Sequence, residues 1–288
     1  MADEQAPAGE LAYAKVNLTL HLCGQRADGY HLLHSLVVFP RIGDYLTCEP
    51  ASGLSLSLEG PFAEGLSAGG DNLVLQAAEQ LQLAQGIGQG AALRLEKNLP
   101  IASGIGGGSS DAAAALRLLS RVWDTWTPAD LALALGADVP VCTCAPLAQV
   151  MSGIGEILQP APPLPPFWMV LVNPLVGVPT GAVFGAVKDK TPPAGPAMPD
   201  QGFTAFDDLR GWLGTQRNDL QAAAEEICPA VSEVLAALSD APFARMSGSG
   251  ATCFGLYATE ADAMLSFEVI SQAMPEWWIA VAPVGSAT

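Results

Sequence analysis

Between residues 11 and 22 apolar and polar side chains alternate. Ala12, Ala14, Val16, Leu18, Leu20 and Leu22 fall on one face, and Tyr13, Lys15, Asn17, Thr19 and His21 on the other. That period of two predicts a strand with one buried side and sets Lys15 and Asn17 together on the polar side. A lysine in such a place ordinarily faces solvent. The stretch Gly24-Gln25-Arg26-Ala27-Asp28-Gly29 then reads as the turn of a long hairpin whose second arm spans residues 31–39. Tyr30-His31 at the turn exit has two readings: edge-strand packing, or an aromatic face and an imidazole offered to a planar ligand.

Strand patterns recur at 44–49, 54–58, 91–96, 167–172 and 279–284. Helical stripes alternate with them. Leu73, Ala77, Leu81 and Ala84 predict a helix over 73–85, capped by Asn72 or Asp71. An alanine-rich run from Asp111 to Trp123 predicts a second helix. Thr127-Pro128-Ala129-Asp130 has the form of a capping box for a short third, stopped at Gly136. Residues 218–237, interrupted near Pro229, and 260–274 are also helical in period. Strands and helices mix throughout with no internal repeat, so the class is α+β.

The strongest linker signal is 159–166, whose proline density favours an extended spacer. It predicts a division into domains of residues 1–158 and 159–288. A second Pro/Gly-rich loop follows at 191–202. Half of the 288 residues are hydrophobic, enough for a substantial core. No uncharged apolar run reaches the roughly 18–20 residues of a membrane span, and Met1-Ala2-Asp3-Glu4-Gln5 is too acidic for a secretory signal. A soluble, cytoplasmic protein is expected. The net charge of −17 argues against nucleic-acid partners and anionic membranes. Cys142-Thr143-Cys144 is either half of a metal site or a pair of buried small residues on one face of a strand, and the thiols are expected to be reduced.

An acidic protein that binds anions must concentrate its positive charge, and the chain has only four lysines: Lys15, Lys97, Lys188 and Lys190. The candidate chemistry gathers around Pro100-Ile101-Ala102-Ser103-Gly104-Ile105-Gly106-Gly107-Gly108-Ser109-Ser110. Bare glycine backbone feeding a helix start offers unpaired N–H groups and the positive end of the helix dipole, a site for phosphate. The plainer reading is a strand-to-helix turn capped by Ser109, Ser110 or Asp111. It is neither of the common glycine loops. The chain contains no Gly-Lys pair, and Ser109 stands where a dinucleotide fingerprint needs its third glycine. Ser247-Gly248-Ser249-Gly250-Ala251 forms a second small-residue turn before a strand, and Asp138 is either a turn residue or a catalytic carboxylate.

The segment Ala14-Lys15-Val16-Asn17-Leu18, the Pro100 to Ser110 loop and the 247–251 turn resemble, in order, the three motifs of the GHMP kinase superfamily. Gln25-Arg26-Ala27-Asp28-Gly29-Tyr30-His31, Gly136-Ala137-Asp138-Val139-Pro140-Val141 and Gly153-Ile154-Gly155-Glu156 are similar to the branch that phosphorylates a diphosphocytidyl methylerythritol in the non-mevalonate isoprenoid pathway. The resemblance implies a ribosomal-protein-S5-like ATP-binding domain joined to a ferredoxin-like substrate domain, with the active site in the cleft. It implies transfer of the ATP γ-phosphoryl to the 2-hydroxyl of a small molecule carrying a cytidine diphosphate group, by a monomer or weak homodimer. Asp138 matches the general base and Lys15 its charge partner. Asn72, Leu73, Lys97, Pro100, Gly104, Gly106, Gly107, Gly108, Ser109 and Ser110 match nucleotide positions. Tyr30 and Phe184 match the pair that sandwiches the cytosine, and His31 the reader of its edge. Asn17 and Thr180, with Gly248, Ser249 and Gly250, match substrate positions.

Mg²⁺ is expected with ATP. No residue matches the helical acidic metal ligand of many superfamily members, which leaves Ser109 and Ser110 as candidates. A carboxylate at Asp111 would repel phosphate unless metal or water lay between. Two other readings remain at this stage: the same fold acting on an acceptor of the homoserine or mevalonate type, and a nucleotide-binding module without catalysis.

Overall fold

In the computed structural model, residues 8–101 and 103–285 are described; the acidic start of the chain lies outside them. The alternating segment is three short strands rather than one: β1 (Ala8–Tyr13), β2 (Val16–Asn17) and β3 (His21–Gln25). Both of its faces are buried. Ala14, Val16 and Leu18 enter a hydrophobic cluster, while Lys15, Asn17, Thr19 and His21 are no more than 6% exposed. Each of these polar side chains meets another segment instead of water. Thr19 accepts from the Leu36 amide at 2.9 Å, and His21 Nε2 accepts from the Arg217 amide at 3.1 Å. Alternation says that two faces differ, not that the polar one is wet.

The hairpin expected next is present, β3 joining β4 (His31–Val38) with His21 opposite His34. Then come β5 (Gly43–Ala51), β6 (Leu54–Glu59), α1 (Leu73–Gln85) and β7 (Gly90–Glu96). Asn72 caps α1 by accepting from the Val74 amide at 2.9 Å, and Gly86 ends it at φ 65°. β6 and β7 run parallel with α1 as their crossover, completing a sheet in the order β1-β5-β7-β6.

The next helix, α2 (Gly107–Val122), begins four residues earlier than its alanine pattern indicates. Gly106, at φ 72°, is its cap without any side-chain bond, so Ser109, Ser110 and Asp111 lie inside the helix rather than capping it. Ala112 to Ala115 are fully buried, and their small size lets α2 lie close to the sheet.

In α3 (Ala129–Leu135) the expected capping box is absent. Pro128 holds the cap position and the Thr127 hydroxyl pairs with Ser120 at 3.0 Å. Cys142 and Cys144 do not share a strand: Cys142 is buried in α4 (Val139–Thr143), and Cys144 follows it. Among the described residues no group of three or more His, Cys, Asp or Glu side chains could hold a metal ion. β8 (Gln149–Gly153) and β9 (Ile157–Pro160) complete a second sheet, β2-β4-β8-β9, with β3 also on β4. The proline-rich stretch is therefore not a free spacer. Its first two residues pair with β8, and the Pro163 carbonyl accepts from the Phe203 amide at 2.9 Å.

The remainder is β10 (Phe167–Asn173), α5 (Thr180–Ala186), α6 (Phe206–Gly214), α7 (Gln221–Ile227), α8 (Ala230–Ala237), β11 (Phe243–Met246), β12 (Cys253–Tyr257), α9 (Glu260–Ala273) and β13 (Trp278–Val284). Its antiparallel sheet has the order β11-β12-β10-β13, the ferredoxin-like arrangement of a βαββαβ chain. β10 is buried on both faces. Val170 and Val172 enter the core beneath α7 and α8, which also receives Leu20 and Leu22 from the start of the chain. Phe167, Met169 and Leu171 enter a cluster shared with Val16, Leu36, Leu99 and Ile105. The two halves are thus fused through apolar packing around the segment that carries Lys15. The 191–202 loop is tied down by Arg217, Gln216 and Trp212, which donate to the carbonyls of Pro193, Pro196 and Ala197 at 2.8, 3.0 and 3.1 Å. No helix among the described residues is long and apolar enough to cross a membrane.

Candidate active site

Where the halves meet lies a cavity of about 560 Å³. Its floor is the glycine loop between β7 and α2. Gly104 and Gly106 have φ of 74° and 72°, the left-handed region that glycine adopts without strain. A methyl group at Gly104 would run into the Gly250 carbonyl of the opposite half. Ile105, fully buried, anchors the loop in the shared core, and its carbonyl accepts from the Lys15 amide at 2.9 Å. The first helical bond runs from the Ser110 amide to the Gly106 carbonyl at 2.8 Å, so the amides of Gly107, Gly108 and Ser109 stand outside the ladder of α2. All three residues line the cavity.

One wall carries the ion pair Lys15 Nζ–Asp138 Oδ2, at 2.8 Å. Asp138 stands at the head of α4 but makes no capping bond; its side chain is 39% exposed while that of Lys15 is 6% exposed. Lys15 thus does not face water, as a lysine on the polar side of a half-buried strand ordinarily would.

Behind the loop lies a second, sealed cluster. Lys97 Nζ pairs with Asp44 Oδ2 and with Asp111 Oδ2, the latter at 2.6 Å, all three residues being buried. Asp44 Oδ1 also accepts from the amides of Asn98 and Leu99 at 2.5 and 2.8 Å, holding the chain where it leaves β7. Burial opposes the charge on Lys97, yet the Asp111 and Asp44 carboxylates outweigh it and push its pKa up. Burial also pushes the Asp111 carboxyl well above its usual range; Lys97 opposes this and the Asp44 charge adds to it.

The far wall belongs to the second half. Asn218 Nδ2 donates to the carbonyls of Met246 and Gly248 at 2.9 and 2.8 Å, shaping the 247–252 turn. Thr252 donates to the Ser103 carbonyl through its amide (3.1 Å) and hydroxyl (2.6 Å), clamping that turn onto the glycine loop. The Thr180 and Ser249 hydroxyls are 2.9 Å apart. The Phe184 ring lies 5.0 Å from that of His31, tilted by 31°. Burial, then the charge of Lys190, hold the His31 imidazole below its usual pKa.

Among the described residues, the buried side-chain polar atoms without a partner are Asn17 Oδ1, His31 Nε2, Ser103 Oγ and Asp111 Oδ1. Asn17, Ser103 and Asp111 line this cavity, and His31 packs on Phe184, which lines it as well. An orphaned buried polar group costs about 1–3 kcal/mol. Native proteins leave few of them, so four gathered at one cavity point to polar groups held for a ligand.

Most residues singled out in the sequence line this space: Lys15, Asn17, Asn72, Leu73, Lys97, Pro100, Gly104, Gly106, Gly107, Gly108, Ser109, Asp138, Thr180, Phe184, Gly248 and Ser249. Four do not line it, and of these His31 comes nearest, its ring packing on that of Phe184. Ser110 is buried inside α2 with its hydroxyl against Cys142 Sγ at 3.4 Å, which removes it from the candidate metal donors. Burial pushes the Cys142 thiol up to about 12. Gly250 does not line the cavity, and a methyl group there would run into the Met246 sulfur. Tyr30 is 58% exposed at the hairpin exit, and the ring described against Phe184 is His31 instead. Lys97 lines the cavity with its ammonium held by two carboxylates. Sequence reasoning missed Asp44, Ser103, Asn218 and Thr252. Only Ser103, inside the glycine loop, carried a local signal.

The sequence matches the GHMP kinases N terminal domain over residues 72–146 and the GHMP kinases C terminal domain over residues 201–274. It is 53% identical over 274 residues to a 4-diphosphocytidyl-2-C-methyl-D-erythritol kinase from Cereibacter sphaeroides, covering 93% of this chain and 96% of the relative. The fold is similar to a crystal structure of 4-(cytidine 5'-diphospho)-2C-methyl-D-erythritol kinase, with a TM-score of 0.77 and 32% identity, covering 97% of this chain and 100% of that one. A homoserine kinase from Cytophaga hutchinsonii has a TM-score of 0.66 at 15% identity over 99% of each chain, a likeness of fold alone.

Proposed function

The chain belongs to the GHMP kinases and is an ATP-dependent small-molecule kinase of their two-domain α+β architecture, and we propose that it phosphorylates the 2-hydroxyl of 4-diphosphocytidyl-2-C-methyl-D-erythritol, in the non-mevalonate route to isoprenoid precursors. In this reading residues 1–158 carry the nucleotide side and residues 159–288 the substrate side.

Asp138 takes the proton of the acceptor hydroxyl, and Lys15, 2.8 Å from Asp138 Oδ2, orients that carboxylate while facing the transferring group. The ion pair on the wall of a cavity floored by bare helix-start amides is the observation that carries this reading. Phosphoryl transfer asks for positioning and charge neutralisation rather than covalent chemistry. The amides of Gly107, Gly108 and Ser109 serve the triphosphate, with the α2 dipole favouring its charge. Asn17 and Thr180 lie on the path of the acceptor, and Phe184 and His31 supply the stacking face and the polar edge for cytosine. Mg²⁺, when bound with ATP, supplies neutralising charge at the phosphates; the Ser109 hydroxyl and the unpartnered Asp111 oxygen are the donors that fit it.

The test is release of ADP on mixing the protein, ATP and Mg²⁺ with each of three alcohols: the diphosphocytidyl compound, homoserine and mevalonate. Turnover with the first and inhibition of it by cytidine nucleotides are expected. Turnover confined to another alcohol would move the acceptor assignment, and none with any would leave a binding module.

A further inference from the structure

The sealed cluster behind the glycine loop has one carboxylate too many. Lys15 is matched by Asp138, and Lys97 is shared between Asp44 and Asp111, so these side chains when all ionised together bring one net negative charge to a cavity read as a polyphosphate site. The two carboxylates on Lys97 are not equivalent. Asp44 uses both oxygens, one on Lys97 and one on two backbone amides. Asp111 uses only Oδ2; its Oδ1 is buried without a partner, and the residue, 4% exposed, lines the cavity. Neutralising Lys97 does not require that second oxygen.

Asp111 stands about one turn into α2, and side chains on a helix lean toward its N-terminus, here the bare amides of the loop. Mg²⁺ keeps several of its waters and is commonly held by one or two carboxylates together with substrate phosphates. A single protein oxygen at this position meets that requirement.

We propose that Asp111 is the protein anchor for the divalent cation that accompanies the nucleotide, through Oδ1 directly or through a metal-bound water, while Oδ2 stays on Lys97. This rests on the nucleotide reading of the cavity. It makes Asp111 repel a metal-free nucleotide and attract a metal-bound one, opposite signs that a purely structural residue would not give.

The experiment is calorimetric titration of ADP at pH 8, with Mg²⁺ and with EDTA, into the wild type, Asp111→Asn and Asp44→Asn, each checked for folding by its melt. Wild type is expected to gain roughly 5–150-fold in ADP affinity from Mg²⁺, the usual range of such coupling. In Asp111→Asn metal-free ADP binds tighter than in wild type, and the Mg²⁺ gain falls by about tenfold or more, as for loss of a metal-supporting group. Asp44→Asn removes the same formal charge from the same cluster but keeps most of the Mg²⁺ gain. An unchanged Mg²⁺ gain in Asp111→Asn, or an equal loss in both variants, overturns the proposal and leaves the nucleotide reading intact. If wild type binds no ADP under either condition, the nucleotide reading itself fails. Should Asp111→Asn not fold, Asp111→Ser carries the same expectation, and Mn²⁺ paramagnetic resonance of the wild type with ADP must show nucleotide-dependent capture of the ion.

Discussion

Two lysine–aspartate clusters flank the same glycine loop, and they are built to opposite specifications. Lys15 and Asp138 form a one-to-one pair with the carboxylate on a cavity wall, free of capping bonds and over one-third exposed. Lys97 sits between Asp44 and Asp111, all three nearly inaccessible, with Lys97 and Asp111 bordering the same cavity. The first arrangement leaves a carboxylate able to meet a ligand. The second ties the end of β7 to the start of α2 and so fixes the loop between them. Identical residue types thus take different roles according to exposure and to how many oxygens are already engaged.

The largest expected effect separates the two most sharply. Asp138→Asn should fold with an unchanged melt and lose roughly 10²–10⁴-fold in kcat, the scale of a positioned base; steady-state kinetics beside a thermal melt checks both halves. Lys97→Met should instead act on the melt, since removing the shared cation leaves two buried carboxylates unmatched. A loss of about 3–5 kcal/mol in chemical denaturation is expected. If Lys97→Met kept wild-type stability, the sealed cluster would not be architectural.

The aromatic wall should resemble neither. Phe184→Ala is expected to raise KM for the diphosphocytidyl alcohol by the equivalent of ~1–3 kcal/mol of base stacking, with KM for ATP unchanged. The smallest effect is one of pH. The His31 pKa is lowered by burial and then by Lys190, so the imidazole is neutral at pH 7.5 and gains its proton only as pH falls through that lowered value. KM for the cytidine-bearing substrate should therefore rise severalfold only once pH falls below the usual imidazole range, while KM for ATP stays flat. A profile in which both rise together would point away from His31.

Much of this was legible in the chain because its signals are local. Asn72 before an apolar stripe, Asp28-Gly29 between two strands, and glycines ahead of a helix each declare themselves within a few residues. The comparison between clusters was not legible. Asp44 is a lone acid at a strand start, and its partner Lys97 lies 53 residues away, so only the tertiary fold brings them together. The polar face of residues 15–21 reads as solvent-facing because alternation is blind to what covers it, and here Asp138, Ser35, Leu36 and Arg217, from both halves, do. α6, with only Leu209 and Leu213 fully turned inward, was too short to announce a period. Ser110 sits in the right motif yet faces inward, because a motif fixes neighbours in sequence and not the direction of each side chain.

The most direct measurement follows a labelled γ-phosphoryl group from ATP in a single turnover with the diphosphocytidyl alcohol. The proposed chemistry predicts label on the 2-hydroxyl of that alcohol with wild type and almost none on the same timescale with Asp138→Asn. Label appearing only as inorganic phosphate, or reaching the alcohol equally fast in both proteins, would contradict it.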